Sequence, residues 1–245
     1  MRYTPKIAAA LLLAGLSSPA LAQGSPAVDV PVVAPNEQAR QRAATVVPLA
    51  AALEPRLTKL SRDIWSLSEI GFKEVKSSAR LQQELKAAGF RITPGAGGMP
   101  TAFIAEAGSG GPVIALLAEY DALPGLAQRA VPHVDPIEGQ VAGQACGHHL
   151  LGAASVAAAI AIKAWRQKSG VAGTVRLYGT PAEEGGFSKV YFVRDGFFKD
   201  VDVRLTSHPG DRNGATPGRS LAMISGKFRF KGIASHAAAA PEPGR

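Results

Sequence analysis

The uninterrupted apolar segment Val113–Ala118 constrains the fold more than any other feature of the sequence. A strand with one solvated face alternates apolar and polar residues, so a strand without polar residues is predicted to be covered on both faces. Strands that alternate with helices along the chain predict an α/β fold, in which helices flank a mainly parallel sheet. The other predicted strands are 90–93, 101–107, 174–178 and 201–206, and the predicted helices are 36–69, with breaks at Pro48 and Pro55, 77–88, 149–168 and 187–195.

Residues 1–22 have the pattern of a secretory signal peptide. Two cations precede an apolar run at residues 7–16, and a small-x-small site follows at Ala20–Ala22. The apolar run falls short of the roughly 20 residues that span a bilayer. We therefore expect cleavage after Ala22, a periplasmic or secreted protein, and no membrane association of the mature form. Residues 23–35, rich in Pro, Ala and Val, are predicted to be a linker.

The charge and the cysteine content limit the kinds of partner and site that the sequence allows. The formal charge is +8, but the basic residues are scattered and are not interleaved with aromatic residues, which argues against nucleic acid as a partner. A modest positive charge suits a small anionic substrate, and it is equally compatible with solubility alone. Cys146 is the single cysteine, so it cannot form an intrachain disulfide. A lone thiol in an exported protein calls for a reason, and metal ligation would supply one.

Four polar clusters are predicted at successive strand ends, the edge at which α/β sheets place their sites. Glu119 and Asp121 come directly after the buried strand 113–118. Cys146 and His148 are two residues apart, so an extended backbone would direct both side chains to the same side. The N-terminal end of the helix that follows would favour a thiolate. This cluster is therefore a candidate metal site, although a histidine here also suits the start of a helix.

The remaining clusters are a glutamate pair and a histidine. Glu183 and Glu184 repel one another unless a cation or solvent separates them, and one solution is that one binds metal while the other holds the metal-bound water. Pro209 confines His208 to extended conformations and would hold it stiffly at a strand end. A solvated loop or a surface histidine would explain either cluster alone. The joint order of carboxylate, Cys-x-His, Glu-Glu and His favours a metal site over a nucleophilic Cys-His pair, which would leave the glutamates without a task.

Four segments carry a resemblance to a known family. They are Ala-Glu-Tyr-Asp-Ala-Leu-Pro-Gly-Leu at 118–126, Ala-Cys-Gly-His-His-Leu-Leu-Gly at 145–152, Pro-Ala-Glu-Glu-Gly-Gly at 181–186 and Ser-His-Ala-Ala-Ala-Ala-Pro at 235–241. In this order they resemble the aminoacylase and carboxypeptidase-type metallopeptidases, most of all the branch that contains p-aminobenzoyl-glutamate hydrolase and hippurate hydrolase. The resemblance covers roughly residues 60–245.

The resemblance implies a two-metal amidohydrolase that cleaves the amide bond of N-acyl or aryl-amide amino acids with metal-activated water. Its cofactors would be two divalent ions, Mn²⁺ or Zn²⁺, held by a di-metal exopeptidase-like catalytic domain at 36–218. An α+β lid domain, beginning at 219–245, would form a homodimer in the full-length protein. The implied metal ligands are Cys146, His148, Glu184 and His208, and the implied catalytic residues are Glu183 as general base, Asp121 as the group that orients a ligand, and His236 of the lid as the oxyanion stabiliser of a neighbouring subunit.

Two features depart from the family. His149 stands where the family usually has Asn or Asp, so it would alter the surroundings of the ligands or supply an extra ligand. The family's final ligand is a histidine near the C-terminus of a longer protein, and the sequence looks cut off after a predicted strand at 221–232 and a helix start at 236–240. We therefore expect at most four protein ligands. A dipeptidase or carboxypeptidase of the same family, and a non-catalytic metal-binding protein, remain open as alternatives.

Overall fold

The structure, a computed structural model, describes residues 34–210, 222–229, 231–236, 238–239 and 242. These residues fall into two units, one within 34–213 and the other within 214–245. The predicted signal peptide, nearly all of the predicted linker and the predicted domain boundary at residue 218 lie outside the described residues. Within the described part, no helix combines the length and the hydrophobicity that a membrane span requires.

Helices α1 (Glu37–Ala51) and α2 (Glu54–Leu67) occupy the region predicted as helical at 36–69. Asn36 caps α1, since its side-chain oxygen accepts a hydrogen bond from the Ala39 N–H at 2.8 Å. The predicted break at Pro48 is wrong, because α1 continues through this residue for its last turn. The break falls next to Pro55, which lies in the first turn of α2, where a missing N–H removes no intrahelical hydrogen bond.

The remaining helices lie close to their predicted positions. They are α3 (Val75–Ala87), α4 (His148–Ser169), the single turn α5 (Glu183–Gly186) and α6 (Ser188–Arg194). α4 is followed by Gly170, whose φ of 70° is the left-handed conformation in which helices commonly end. Only α5 was not predicted, and it is too short to give a periodic signal in the sequence.

Five strands form the central sheet, in the order β1 (Arg91–Pro94), β2 (Phe103–Ser109), β6 (Gly173–Gly179), β3 (Val113–Ala118) and β7 (Val203–Leu205). Both β6 and β7 pair with β3 in parallel, whereas β2 is antiparallel to β1 and β6, so four of the five strands run in one direction. This confirms the mainly parallel α/β sheet. The connections 95–102 and 110–112 are shorter than the dozen or so residues of a parallel crossover, which is why β2 is reversed. Two short strands, β4 (Leu123–Pro124) and β5 (Ala142–Gly143), pair with each other in a separate small sheet.

Two apolar clusters cover the two faces of the sheet. Helices α2, α3 and α4 pack on one face, and α6 with the segments around it packs on the other. The strand β3 contributes to both clusters, because Leu116 faces the first and Ala115 and Leu117 face the second. The prediction that 113–118 is covered on both faces is therefore confirmed.

The carboxyl ends of the parallel strands meet at one edge of the sheet, where the register pairs Ala118 of β3 with Gly179 of β6. The N-terminal part of α4 lies at the same edge. Gly152 allows this approach, since a Cβ at its position would lie 2.6 Å from the backbone oxygen of Glu119. Cys146 and His148 therefore reach the edge through α4. They do not follow a strand of the main sheet, as the sequence had suggested, because β5 belongs to the small sheet.

The second unit has little regular structure among its described residues. The described residues of the segment predicted as a strand at 221–232, namely 222–229 and 231–232, have no assigned secondary structure, so the prediction is wrong for this part of it. A strand needs a partner for its backbone hydrogen bonds, and no described strand pairs with this segment. The helix predicted at 236–240 is a turn at its described residues 238–239, where backbone N–H groups donate to Nδ1 of His236 at 3.3 and 3.1 Å.

Candidate metal centre

Asp121, just beyond β3, holds two neighbouring groups in place. This residue is 1% exposed. Its Oδ1 lies 2.9 Å from Nδ1 of His148, and its Oδ2 accepts a hydrogen bond from the backbone N–H of Glu184 at 3.0 Å. Burial raises the pKa of Asp121, but these hydrogen bonds outweigh burial and hold the pKa below its ordinary value. An ionised Asp121 therefore connects the end of β3 to both α4 and α5.

His148 is completely buried, and its Nε2 has no hydrogen-bond partner among the described residues. Since the Asp121 carboxylate accepts at Nδ1, this nitrogen carries the hydrogen and Nε2 presents its lone pair. Burial lowers the pKa of His148, but the hydrogen bond to Asp121 and the surrounding carboxylates outweigh burial and raise it. Carboxylate oxygens of Glu119, Glu183 and Glu184 lie 3.2, 3.7 and 3.9 Å from Nε2. Such a group of acceptors is stable only with a proton or a cation among them.

Cys146 and His208 form the exposed side of the same group. Nε2 of His208 lies 3.3 Å from Sγ of Cys146, and its Nδ1 lies 2.9 Å from the carbonyl oxygen of Pro209, to which it donates. His208 is exposed and follows the end of β7 by three residues. Both histidines nevertheless use Nδ1 for a local hydrogen bond and direct Nε2 toward the other polar groups.

The Cys146 thiol differs from its expected state. Burial and the nearby carboxylates, Glu184 before the others, raise the pKa of Cys146 to about 11. The expected stabilisation of a thiolate by the start of α4 is therefore outweighed by the negative charges around the sulfur. The backbone also differs from the extended stretch assumed from the sequence, since Gly147 has a φ of 85°. A thiol with this pKa is a weak nucleophile at neutral pH, which disfavours a nucleophilic Cys-His pair.

Glu183 and Glu184 begin α5, directly after a residue with an uncommon backbone conformation. Ala182 has a φ of 53°, in the left-handed region that L-residues other than Asn and Asp seldom adopt. The buried carboxylate of Glu74 holds this residue, because it accepts a hydrogen bond from the Ala182 N–H at 2.7 Å and one from the Thr101 hydroxyl at 3.0 Å. Burial raises the pKa of Glu74. This support turns the two glutamates toward His148 and solvent.

The arrangement fits a divalent metal ion. Cys146, His148 and Glu184 each place one donor atom within 4.8 Å of the other two, and His208 adjoins them through Cys146. Oε1 of Glu184 is buried without a hydrogen-bond partner among the described residues, as is Nε2 of His148. A set of thiol, imidazole and carboxylate donors suits Zn²⁺, whereas additional oxygen donors suit Mn²⁺. The four predicted ligands are thus brought together, with the predicted base Glu183 beside them.

Sequence reasoning assigned no role to Glu119, which the structure places in the same group. Glu119 forms a second set of neighbouring donors with His148 and Glu183, again within 4.8 Å of one another. Its Oε1 pairs with the ammonium of Lys189 on α6. The position of Glu119 directly after a buried strand was a signal in the sequence, but its pairing with a lysine 70 residues away was not.

His149 belongs to neither set of neighbouring donors in the described part of the chain. It lines a cavity of about 760 Å³ between α2 and α4 together with Trp65 and Leu150. The structure therefore gives no support to His149 as an extra ligand. His236 belongs to the second unit, and its role in a neighbouring subunit remains a prediction.

Comparison with known proteins agrees with this geometry. Residues 115–233 match the peptidase family M20/M25/M40. The chain is 50% identical over 194 residues to a p-aminobenzoyl-glutamate hydrolase subunit of Escherichia coli, and 35% identical over 222 residues to the Xaa-Arg dipeptidase of Mus musculus. These alignments cover 78% and 85% of this chain. Among solved structures, it is similar to a dinuclear metal-binding peptidase of the M20 family from Bacillus subtilis, with a TM-score of 0.53 and 28% identity over 63% of this chain.

The chain spans less than half the length of each of these proteins. It covers 40% of the Escherichia coli protein, 46% of the mouse protein and 42% of the Bacillus subtilis structure. The similarity to the solved M20 peptidase structure confirms the α/β fold class expected from the sequence.

Proposed function

Because this chain belongs to peptidase family M20/M25/M40, we propose that it is part of a metal-dependent amidohydrolase that cleaves the amide bond of N-acyl or aryl-amide amino acids. The observation that carries the proposal is the convergence of Cys146, His148 and Glu184 within 4.8 Å, next to the carboxylate of Glu183. The substrate class is supported by the 50% identity to a p-aminobenzoyl-glutamate hydrolase.

Two divalent ions, Mn²⁺ or Zn²⁺, are the proposed cofactors. When bound, they would lower the pKa of a water molecule toward neutrality and polarise the amide carbonyl. Their proposed ligands are Cys146, His148, Glu184 and His208, of which the two histidines present Nε2 and keep Nδ1 in a local hydrogen bond. Asp121 fixes the orientation of His148 and of the Glu184 backbone, and it thereby positions two of the four proposed ligands.

Glu183 is the proposed general base. Its side chain is 36% exposed, so it can receive a proton from the attacking water and pass it to the leaving amine. The side chain of the neighbouring Glu184 is less exposed, at 23%. Its Oε1 has no hydrogen-bond partner among the described residues, as expected of a metal ligand. His236 is proposed to stabilise the oxyanion in a neighbouring subunit of a homodimer. We also propose that the protein is exported through its predicted signal peptide and that its substrate is a small anionic amide.

A dipeptidase is the second candidate function, favoured by the 35% identity to an Xaa-Arg dipeptidase. The same donors and the same base would serve both reactions, since an amide and a peptide bond need the same attack by water. The two candidates differ in the group that precedes the scissile bond. An N-aroyl amino acid has an aromatic ring next to the scissile carbonyl and no α-ammonium group, whereas a dipeptide carries an α-ammonium group there.

The test is hydrolysis by the full-length protein supplied with Mn²⁺ or Zn²⁺. We expect faster turnover of p-aminobenzoyl-glutamate or an N-benzoyl amino acid than of free dipeptides, and the reverse preference would establish the dipeptidase. Replacement of the base, Glu183→Gln, is expected to lower kcat by about 10²–10⁴-fold, because the substitution keeps the shape and removes the proton acceptor. Glu106→Gln, in an ion pair elsewhere on the sheet, is the matched control. Equal rates for Glu183→Gln and the control would refute the assignment of the base.

A further inference from the structure

Glu119 is buried, yet one of its two carboxylate oxygens has no hydrogen-bond partner among the described residues. The residue is 6% exposed, and its Oε1 is paired with Lys189. Its Oε2 has no hydrogen-bond partner among the described residues. A buried acceptor without a donor is costly, so the position of Oε2 calls for a partner that protein side chains do not provide.

The nearest unpartnered group is Nε2 of His148, at 3.2 Å. When His148 is neutral, the two atoms face each other as acceptors, because the hydrogen of the imidazole is on Nδ1, where Asp121 accepts it. They do not have the alignment of a hydrogen bond, although the distance would allow one. Two acceptors at this separation repel unless they share a proton or a cation.

The distance itself matches two ligands of one metal ion. Ligand atoms about 2.1 Å from an ion and separated by an angle of about 90–110° lie about 3.0–3.4 Å apart. The 3.2 Å between Nε2 of His148 and Oε2 of Glu119 falls in this interval. Glu119, His148 and Glu183 also form a compact set of donors that overlaps the first set only at His148.

We propose that Glu119 is a further metal ligand, binding through Oε2 the ion that His148 holds. Lys189 keeps Oε1 occupied and so leaves one oxygen of the carboxylate for the metal. This ligand adds an anionic oxygen to a set that would otherwise contain a thiol, two imidazoles and one carboxylate, and it shifts the preference of the site toward Mn²⁺. The inference rests on the metal centre of the proposed function.

The first experiment measures the affinity of the intact protein for Mn²⁺ by isothermal titration calorimetry. Glu119→Gln is expected to raise the Kd by at least about 10- to 100-fold, a loss at least as large as that caused by removing a group behind a ligand. The substitution also leaves the charge of Lys189 uncompensated, which would weaken cation binding by repulsion alone. The double variant Glu119→Gln with Lys189→Met restores the original net charge. A Kd that stays at least about 10-fold above that of the unchanged protein supports ligation, and a return to the original Kd overturns it.

The second experiment uses Co²⁺ and the single cysteine of the chain. In the unchanged protein, a thiolate-to-cobalt absorption band should appear on titration and be lost in Cys146→Ser. In Glu119→Cys the band should increase, because a second thiolate enters the site. An unchanged band intensity would overturn the role of Glu119. Absence of the band in the unchanged protein would instead refute the metal centre itself, so the two failures are distinguishable. The Gln and Cys variants differ in size and chemistry, and melting temperatures without metal identify any variant that is not folded.

Discussion

Replacing Asp121 by Asn should disconnect the two halves of the candidate metal centre. The carboxylate accepts two hydrogen bonds, from Nδ1 of His148 and from the N–H of Glu184. Asn has one acceptor oxygen and one NH₂ group of nearly the same shape, so only one of the two donors can keep its partner. If NH₂ faces His148, the imidazole must move its hydrogen to Nε2, and the lone pair that a metal needs is lost.

The magnitude follows from the burial of the group. A hydrogen bond to a charged group contributes about 1.5–3 kcal/mol, and Asp121 is 1% exposed, so solvent does not screen the loss. Asp121→Asn should therefore lower the free energy of unfolding by about 1.5–3 kcal/mol without metal. The affinity for Mn²⁺ or Zn²⁺ should fall by about 10- to 100-fold, because the oriented imidazole is lost.

Urea denaturation and isothermal titration calorimetry measure the two effects separately. Asp200→Asn is the control, since its carboxylate is 62% exposed, pairs with Arg176 and belongs to neither set of neighbouring donors in the described part of the chain. Exposed ion pairs contribute about 0–1 kcal/mol, so this variant should bind metal normally. A folded Asp121→Asn protein with unchanged metal affinity would refute the argument that Asp121 determines the tautomer of His148.

Two further predictions concern pH and packing. Since the folded-state pKa of Asp121 lies below its ordinary value of 3.8, its contribution to stability is present above that value and is lost as the pH falls through the folded-state pKa. The difference in unfolding free energy between the unchanged protein and Asp121→Asn should therefore shrink as the pH falls below 3.8, and urea melts at fixed pH values test this. Gly152→Ala should destabilise the fold by about 1–3 kcal/mol, because the new Cβ would lie 2.6 Å from the backbone oxygen of Glu119. This effect is opposite to the usual stabilisation of a helix by about 1 kcal/mol when Ala replaces Gly. Gly185→Ala, whose Cβ would meet no atom within 4 Å, is the control, and equal melting temperatures for the two variants would contradict the packing argument.

The parts of the fold that could be predicted are those in which local sequence and tertiary environment agree. Val113–Ala118 is a strand with the predicted bounds, because an all-apolar run of this length fits only a strand covered on both faces. The helix predicted at 77–88 is also formed, and its residues Leu81 and Leu85, four positions apart on one helix face, are both fully buried. The reversal of β2 could also have been found, since the short connections on either side of it exclude a parallel crossover.

The errors arise where partners distant in sequence decide the outcome. The strand predicted at 221–232 has suitable residues, but no described strand pairs with it, and composition does not reveal a missing partner. The expected thiolate at Cys146 was based on the helix that follows, whereas carboxylates from other segments raise the pKa of the thiol. Glu119 was seen only as a residue at a strand end, because its pairing with Lys189 depends on how α6 packs.

The candidate metal centre is arranged by hydrogen bonds behind the donors. Asp121 orients His148 and the Glu184 backbone, the carbonyl of Pro209 fixes the Nδ1 hydrogen of His208, and Glu74 holds Ala182 in its left-handed conformation before the glutamate pair. Each of these contacts engages a group that faces away from the centre, so the atoms that face it are free to bind a metal ion. Folding must therefore bring several carboxylate oxygens and an imidazole lone pair together at a cost in stability. Because a cation among these atoms would offset that cost, the same geometry that is unfavourable for the donors alone favours the binding of a divalent metal ion.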